Sequence, residues 1–198
     1  MSFIASTLIA AIMQFTPTPE YAVGAQVNDF TLQNIDGKNV SLSDYKNKEG
    51  VIVVFTCNHC PYAKAYESRI QALDATFAAQ GWPVLAINPN DPVREPEDAP
   101  AEMQKRAKEM GYTFPYVFDA DQSVARTFGA TRTPHVYLLK NTNGVFTVEY
   151  IGAIDDNTDD PSAVKVKYVE DAIAALKKGE KPAVTFTKAI GCTIKWKQ

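Results

Sequence analysis

The chain has 198 residues, 45% of them apolar and 22% charged, with a formal net charge of −3. That balance belongs to an ordinary globular domain and excludes a strongly basic nucleic-acid surface or a disordered acidic chain. No run of about 18 apolar residues occurs, so no membrane span is expected, and three cysteines are too few for a disulfide-stapled scaffold.

Residues 1–23 are expected to form an N-terminal arm. Phe3 to Phe15 is apolar and signal-like in character. No Lys or Arg precedes it and no clear small-residue cleavage site follows. A cytoplasmic location is expected, with the cell envelope or periplasm as the alternative. One α/β domain is expected over 24–198.

Phe30-Thr31-Leu32 and Val40-Ser41-Leu42 read as two strands joined at Asp36-Gly37, an N-terminal hairpin. Ser43-Asp44-Tyr45 reads as a helical turn. Val51 to Thr56 is β-branched and aromatic throughout, the pattern of a central strand buried on both faces. Tyr62 to Gln80 predicts a helix with Tyr62, Tyr66, Ile70, Leu73 and Phe77 on one stripe, stopped by Gly81. Val84 to Ile87 is a further buried strand. Asn88 to Pro100 is expected to be a surface loop of low order. Glu102 to Met110 predicts a helix, Tyr116 to Phe118 a strand and Ser123 to Phe128 a short helix. His135 to Leu139 and Val145 to Ile151 alternate as strands around the Asn143-Gly144 turn signal. Asp160-Pro161-Ser162 is expected to open the last helix, which buries Val166, Val169, Ile173 and Leu176. Alternating strands and helices that end in a hairpin indicate a mixed sheet flanked by helices.

The chemistry is expected at Thr56-Cys57-Asn58-His59-Cys60-Pro61, between the central strand and the long helix. Thiolates attack disulfides and thiols do not. A cysteine at a helix N-terminus meets unpaired N–H groups and the positive end of the macrodipole, which favour the anion. The sequence places Cys57 at the N-cap, with a thiol pKa below the free value, and Cys60 one turn on as the resolving thiol. His59 would support the thiolate when protonated, unless it is simply solvated. Zinc would need a second ligand pair, which the sequence lacks, so neither a metal nor any other cofactor is expected.

Thr131-Arg132-Thr133-Pro134-His135 enters a later strand. Pro134 alone reads as a trans residue opening that strand, although such loops can hold a cis peptide. Arg132 is a candidate helper for the Cys57 thiolate, or a solvated loop charge. Asp155 and Asp156 read as turn and capping residues. Cys192 reads as a buried free thiol or as an additional resolving thiol.

A CxxC opening a helix, followed by Thr-Pro before a later strand, resembles the thioredoxin superfamily. The fuller set, Phe55 to Tyr62, Thr133-Pro134, Ile154 to Asn157 and Gly191-Cys192-Thr193-Ile194-Lys195-Trp196, is similar to bacterial peroxiredoxin-like redoxins of the AhpC/TSA type. The resemblance implies a thioredoxin-like fold, a cis Pro134 beside the CxxC, Cys57 as nucleophile, Cys60 as partner, and Thr133 and Pro134 in substrate contact. The peroxidatic pattern is absent. Its Pro and Thr, seven and three residues before the reactive cysteine, would be Gly50 and Val54 counted from Cys57, or Val53 and Cys57 counted from Cys60. The buried acid of thioredoxin corresponds to Val51, so proton transfer from Cys60 would need another base or water.

These readings combine into a thiol–disulfide oxidoreductase acting on protein or small-molecule disulfides with a separate redox partner. Thiol peroxidase is one alternative, and a copper-binding protein using Cys57, Cys60 and a histidine such as His135 is the other.

Overall fold

The computed structural model describes residues 20–198. The apolar stretch from Phe3 to Phe15 lies outside the described residues. The described part of the expected arm begins on the body of the fold: the Tyr21 N–H donates to the Thr127 carbonyl at 3.2 Å, and its ring meets Phe128 edge-on.

The centre is β4 (Gly50–Phe55), buried at every position. Side chains alternate across a strand, so a fully apolar strand feeds two cores at once. Val51, Val53 and Phe55 enter one core and Ile52 and Val54 the other. The neighbours of β4 are β5 (Val84–Asn88), parallel, and β8 (His135–Thr142), antiparallel. Beyond β5 stand β6 (Tyr116–Phe118), then the hairpin of β2 (Thr31–Asn34) and β3 (Asn39–Ser41). Beyond β8 stand β9 (Val145–Gly152) and the short edge strand β1 (Gln26–Val27). The order is β1-β9-β8-β4-β5-β6-β2-β3. The β8–β9 turn uses Asn143 and Gly144, both at positive φ (54° and 87°), as a two-residue hairpin loop demands.

Three helices cover one face: α1 (Pro61–Phe77), α2 (Pro100–Met110) and α4 (Tyr168–Lys177). They bring Tyr66, Ile70, Met103, Val169 and Ile173 into the core holding Ile52 and Val54. The other face is covered by α3 (Ser123–Phe128) and by the C-terminal segment, whose Ile194 is buried beside Val124 and Phe128. That segment adds a separate two-residue pairing, β10 (Cys192–Thr193) on β7 (Arg132–Thr133).

Three expectations need correction. The Asp160-Pro161-Ser162 signal opens only a 3-10 turn, and α4 starts at Tyr168, leaving Val166 exposed. Asp160 caps its own turn through the Ser162 N–H, and the Asp156 side chain accepts the Lys165 N–H, so this stretch is tied up locally before the helix begins. The helix expected to reach Gln80 is α-helical to Phe77 and tightens into a 3-10 turn before Gly81, which takes φ 89°. The Asn88–Pro100 loop is not of low order, since Asn88, Asn90, Asp91 and Asp98 are all buried.

Phe128 is the pivot of the α3 side, with ring centroids 5.1 to 5.8 Å from Tyr21, Phe30, Phe55 and Tyr137. Phe128→Ala is expected to cost about 3–5 kcal/mol, because it removes the transfer energy of a full ring and leaves a cavity. Urea unfolding of the oxidised protein checks this, and a loss below about 1 kcal/mol would contradict the packing described.

Candidate active site

The loop Thr56–Cys60 leaves the end of β4 and turns directly into α1. Pro61 occupies the first helical position, where its missing N–H costs nothing, and the residue before a proline is held extended. Cys60 is therefore the N-cap (φ −68°, ψ 125°), and its carbonyl accepts the first helical bond, from Lys64 N at 3.0 Å. This corrects the expectation that Cys57 caps the helix. Cys57 stands three residues earlier, outside the first turn.

Cys57 and Cys60 are 2% and 0% exposed and pack with Ala63, with Cys192 against them. Both sulfurs meet Thr133. Cys57 Sγ is hydrogen-bonded to Thr133 Oγ1 at 3.0 Å, and Cys60 Sγ lies 3.4 Å from the Thr133 carbonyl oxygen. The Thr133–Pro134 peptide is cis, which overrides the reading of Pro134 taken alone. The sulfur of Cys60 is not free. It is bonded to Cys192, with Cα atoms 6.1 Å apart, and Cys57 is left as the thiol. The expected pairing of Cys57 with Cys60 is thus not the one formed here, and Cys192 is neither free nor fully buried. The cause is topological: β10 pairs antiparallel with β7, and the register sets Cys192 opposite Thr133, directly over the helix cap.

A carboxylate that the sequence reading missed organises the other side. Asp98, fully buried, accepts from the Asn58 N–H (2.6 Å), Asn88 Nδ2 (3.2 Å), Asn90 Nδ2 (2.8 Å) and His59 Nδ1 (2.6 Å). His59 is held by this bond rather than solvated, and its Nε2 faces Glu95 at 3.8 Å. Asn58 locks the loop further, donating to the Glu97 carbonyl (2.8 Å) and accepting from the buried Tyr116 hydroxyl (3.1 Å). Cys57 Sγ, a His59 ring nitrogen and an Asp98 oxygen lie within 4.8 Å of one another. Three ligand types converge there, but Asp98 is already committed to four donors. The group fits a hydrogen-bonded proton network better than a metal cage.

Burial pushes the Cys57 thiol up to about 12, and the charge of Asp98 pushes the same way, against the Thr133 hydrogen bond. The expectation of a lowered Cys57 pKa therefore fails in this closed arrangement. It assumed an exposed N-cap, whereas Cys57 is off the helix, buried and beside a carboxylate.

The remaining candidates lie elsewhere. Arg132 turns away from the thiols and donates to the Gly191 carbonyl at 2.8 Å. His135 packs on Tyr137 on the α3 side of the sheet, where burial and the Arg132 charge hold its pKa down to about 4. It is not in the group with Cys57, so the copper reading loses the histidine it named. Asp155 is an ion-pair partner of Arg69 at 2.7 Å and accepts from the Tyr66 hydroxyl at 3.0 Å.

A sequence signal for Asp98 did exist. Parallel neighbours leave the sheet at the same end, and Phe55 is in register with Ile87. The loop after β5 must therefore lie beside the loop after β4, where ligand and catalytic groups of open α/β sheets gather.

A buried CxxC, one cysteine a thiol and the other in a disulfide, at the carboxyl end of the central strand of a mixed sheet and facing a cis-proline loop, defines a thiol–disulfide oxidoreductase with a thioredoxin-like fold. Residues 23–155 match the AhpC/TSA family model, and the chain belongs to the AhpC/TSA family. It is 30% identical over 131 residues to the thiol-disulfide oxidoreductase ResA of Geobacillus thermodenitrificans, covering 66% of this chain and 71% of that one. Two solved structures match over nearly the whole length. A conserved protein from Geobacillus kaustophilus has 35% identity, a TM-score of 0.82 and coverage of 89% and 93% of the two chains. A hypothetical protein from Sinorhizobium meliloti has 31% identity, a TM-score of 0.82 and coverage of 90% and 97%. Among the described residues no helix is long and apolar enough to cross a membrane.

The raised Cys57 pKa has a measurable sign. The folded protein holds this proton beyond the ordinary thiol value, near about 8.5, so the protonated thiol persists as pH rises and the thiolate appears only towards about 12. Iodoacetamide alkylation of Cys57 in the Cys60–Cys192 form should still be climbing at pH 10. Asp98→Asn should move the inflection to lower pH. A plateau by pH 9 in the unmodified protein would contradict the burial described.

Proposed function

We propose that Cys57 is the nucleophile of this oxidoreductase and Cys60 the sulfur at which it exchanges. Substrates are protein or small-molecule disulfides, and a separate thiol partner resets the enzyme. The observation that carries the reading is the shared contact with Thr133. Its hydroxyl holds Cys57 Sγ and its carbonyl stands against Cys60 Sγ, so one residue touches both sulfurs. When the Cys60–Cys192 bond opens, the Cys60 thiol acquires that carbonyl as an acceptor, which supports the reduced form.

The His59–Asp98 pair is the proton acceptor nearest to Cys57. Asp98 fixes the imidazole by taking its Nδ1–H, an arrangement that orients a histidine for proton transfer. Thr133 and Pro134 flank the sulfurs, and a substrate disulfide would contact them once β10 leaves the Thr133 backbone. Peroxide reduction has less support, because Gly50 and Val54 stand where its Pro and Thr would be needed. Gly50 is closed over by the Trp82 ring, leaving no room for a side chain.

Reductant-driven turnover of a disulfide substrate such as insulin tests this. Cys57→Ser is expected to lower kcat/KM by at least about a hundredfold, the range typical for losing an activated nucleophile or its base. His59→Gln should lower it less. Unimpaired turnover by Cys57→Ser would refute the assignment.

A further inference from the structure

Of the three sulfurs, the two in the CxxC are sealed and the third is not. Cys57 and Cys60 are 2% and 0% exposed, while Cys192 is partly open to solvent. The seal is the C-terminal strap itself. Gly191 lies so close to the Thr133–Pro134 peptide that a Cβ would collide with the Thr133 carbonyl. Arg132 holds the Gly191 carbonyl, and the Ile194 N–H donates to the Thr131 carbonyl at 3.1 Å. A partner approaching Thr133 finds that backbone edge already paired with β10.

The strap is pinned on both sides of this point and lightly held within it. Upstream, the Thr187 N–H donates to the Ile151 carbonyl at 2.9 Å. Downstream, the buried Gln122 donates to the Lys195 carbonyl (2.9 Å) and accepts the Lys197 N–H (2.7 Å), Asn90 takes the Lys195 N–H (2.8 Å), and the Trp196 ring stacks under Arg126. Between Thr187 and Ile194 the hold is a few hydrogen bonds and one disulfide. Such a segment can lift and return without losing its place.

We propose, on the reading that Cys57 and Cys60 form the working pair, that Cys192 is the thiol through which the external redox partner reaches them. Two exchanges describe it, and both balance. In the outer exchange a partner thiolate attacks Cys192 Sγ. A partner–Cys192 bond forms, the Cys60–Cys192 bond breaks, and the electron pair leaves on Cys60, which takes up a proton. A second partner thiol then releases Cys192 as a thiol and departs as partner disulfide. In the inner exchange Cys57, having lost its proton, attacks Cys60 Sγ. A Cys57–Cys60 bond forms and Cys192 leaves as thiolate and is protonated, with no net oxidation or reduction. The inner step moves the disulfide between the sealed pair and the accessible position, and the outer step trades it with the partner. Cys192 is then a catalytic residue and the strap its carrier, in place of a structural crosslink.

The experiment uses the full chain and glutathione as the probe. In Cys60→Ser, with Cys57 and Cys192 reduced, oxidised glutathione should label the tryptic peptide carrying Cys192 (residues 189–195) at least about tenfold faster than the one carrying Cys57 (49–64), since access sets the rate. Reduced glutathione should also open the disulfide of the oxidised wild type at least about tenfold faster than the Cys57–Cys60 disulfide of Cys192→Ser. Labelling of Cys57 as fast as Cys192, or equal reduction of the two oxidised proteins, overturns the proposal. Neither readout uses turnover, so a failure here is separate from a failure of Cys57→Ser to lose activity.

Discussion

Thr133 Oγ1 sits 3.0 Å from Cys57 Sγ, its carbonyl oxygen 3.4 Å from Cys60 Sγ, and its backbone pairs with Cys192 on β10. Three sulfurs converge on one residue because four separate pieces of chain are fixed there. β4 delivers Cys57, the Pro61-started helix delivers Cys60, and the loop before β8 delivers Thr133 opposite them, since β4 and β8 are in register from Gly50–Lys140 to Phe55–His135. The strap adds the third sulfur by pairing with β7 in that loop. Moving any one of these pieces would separate the sulfurs, so the sheet register is the constraint on which the chemistry depends.

The second organising feature is electrostatic. A buried carboxylate is costly unless its lone pairs are filled. Asp98 meets that condition with four donors, two of them from the CxxC loop itself. Fixing the loop and setting its proton affinity are thereby one act. The bonds that hold Asn58 and His59 in place also bring a negative charge towards Cys57. That charge, with burial, keeps Cys57 protonated while the strap is closed.

Much of this was legible from the residues. The unbroken apolar run of β4, the stripe of α1 from Tyr66 onward, the Asn143-Gly144 turn and the CxxC junction each have a local cause and stand where their patterns say, whereas Tyr62, expected on the same stripe, is exposed in the first turn. What the sequence concealed was long-range. Nothing near Cys60 shows that its bonded partner is Cys192, because strand pairing of the C-terminal segment decides that. The polar, proline-rich run after Asn88 does not by itself show a buried acid; only its place beside the CxxC loop, after the strand parallel to β4, points to one, and Asn58 and His59 hold it from across the site. The capping error at Cys57 was different in kind. Pro61 at the first helical position was readable and already required the cap to be Cys60.

The most direct measurement is disulfide mapping of the whole protein equilibrated across a series of glutathione redox ratios. Cys60 is the sulfur shared by both exchanges, so two species are expected, Cys60–Cys192 and Cys57–Cys60, interconverting with conditions and with Cys57–Cys192 absent. If Cys57 stays reduced at every ratio while Cys60–Cys192 forms and breaks alone, the sulfurs do not act as a connected set, and the account is wrong.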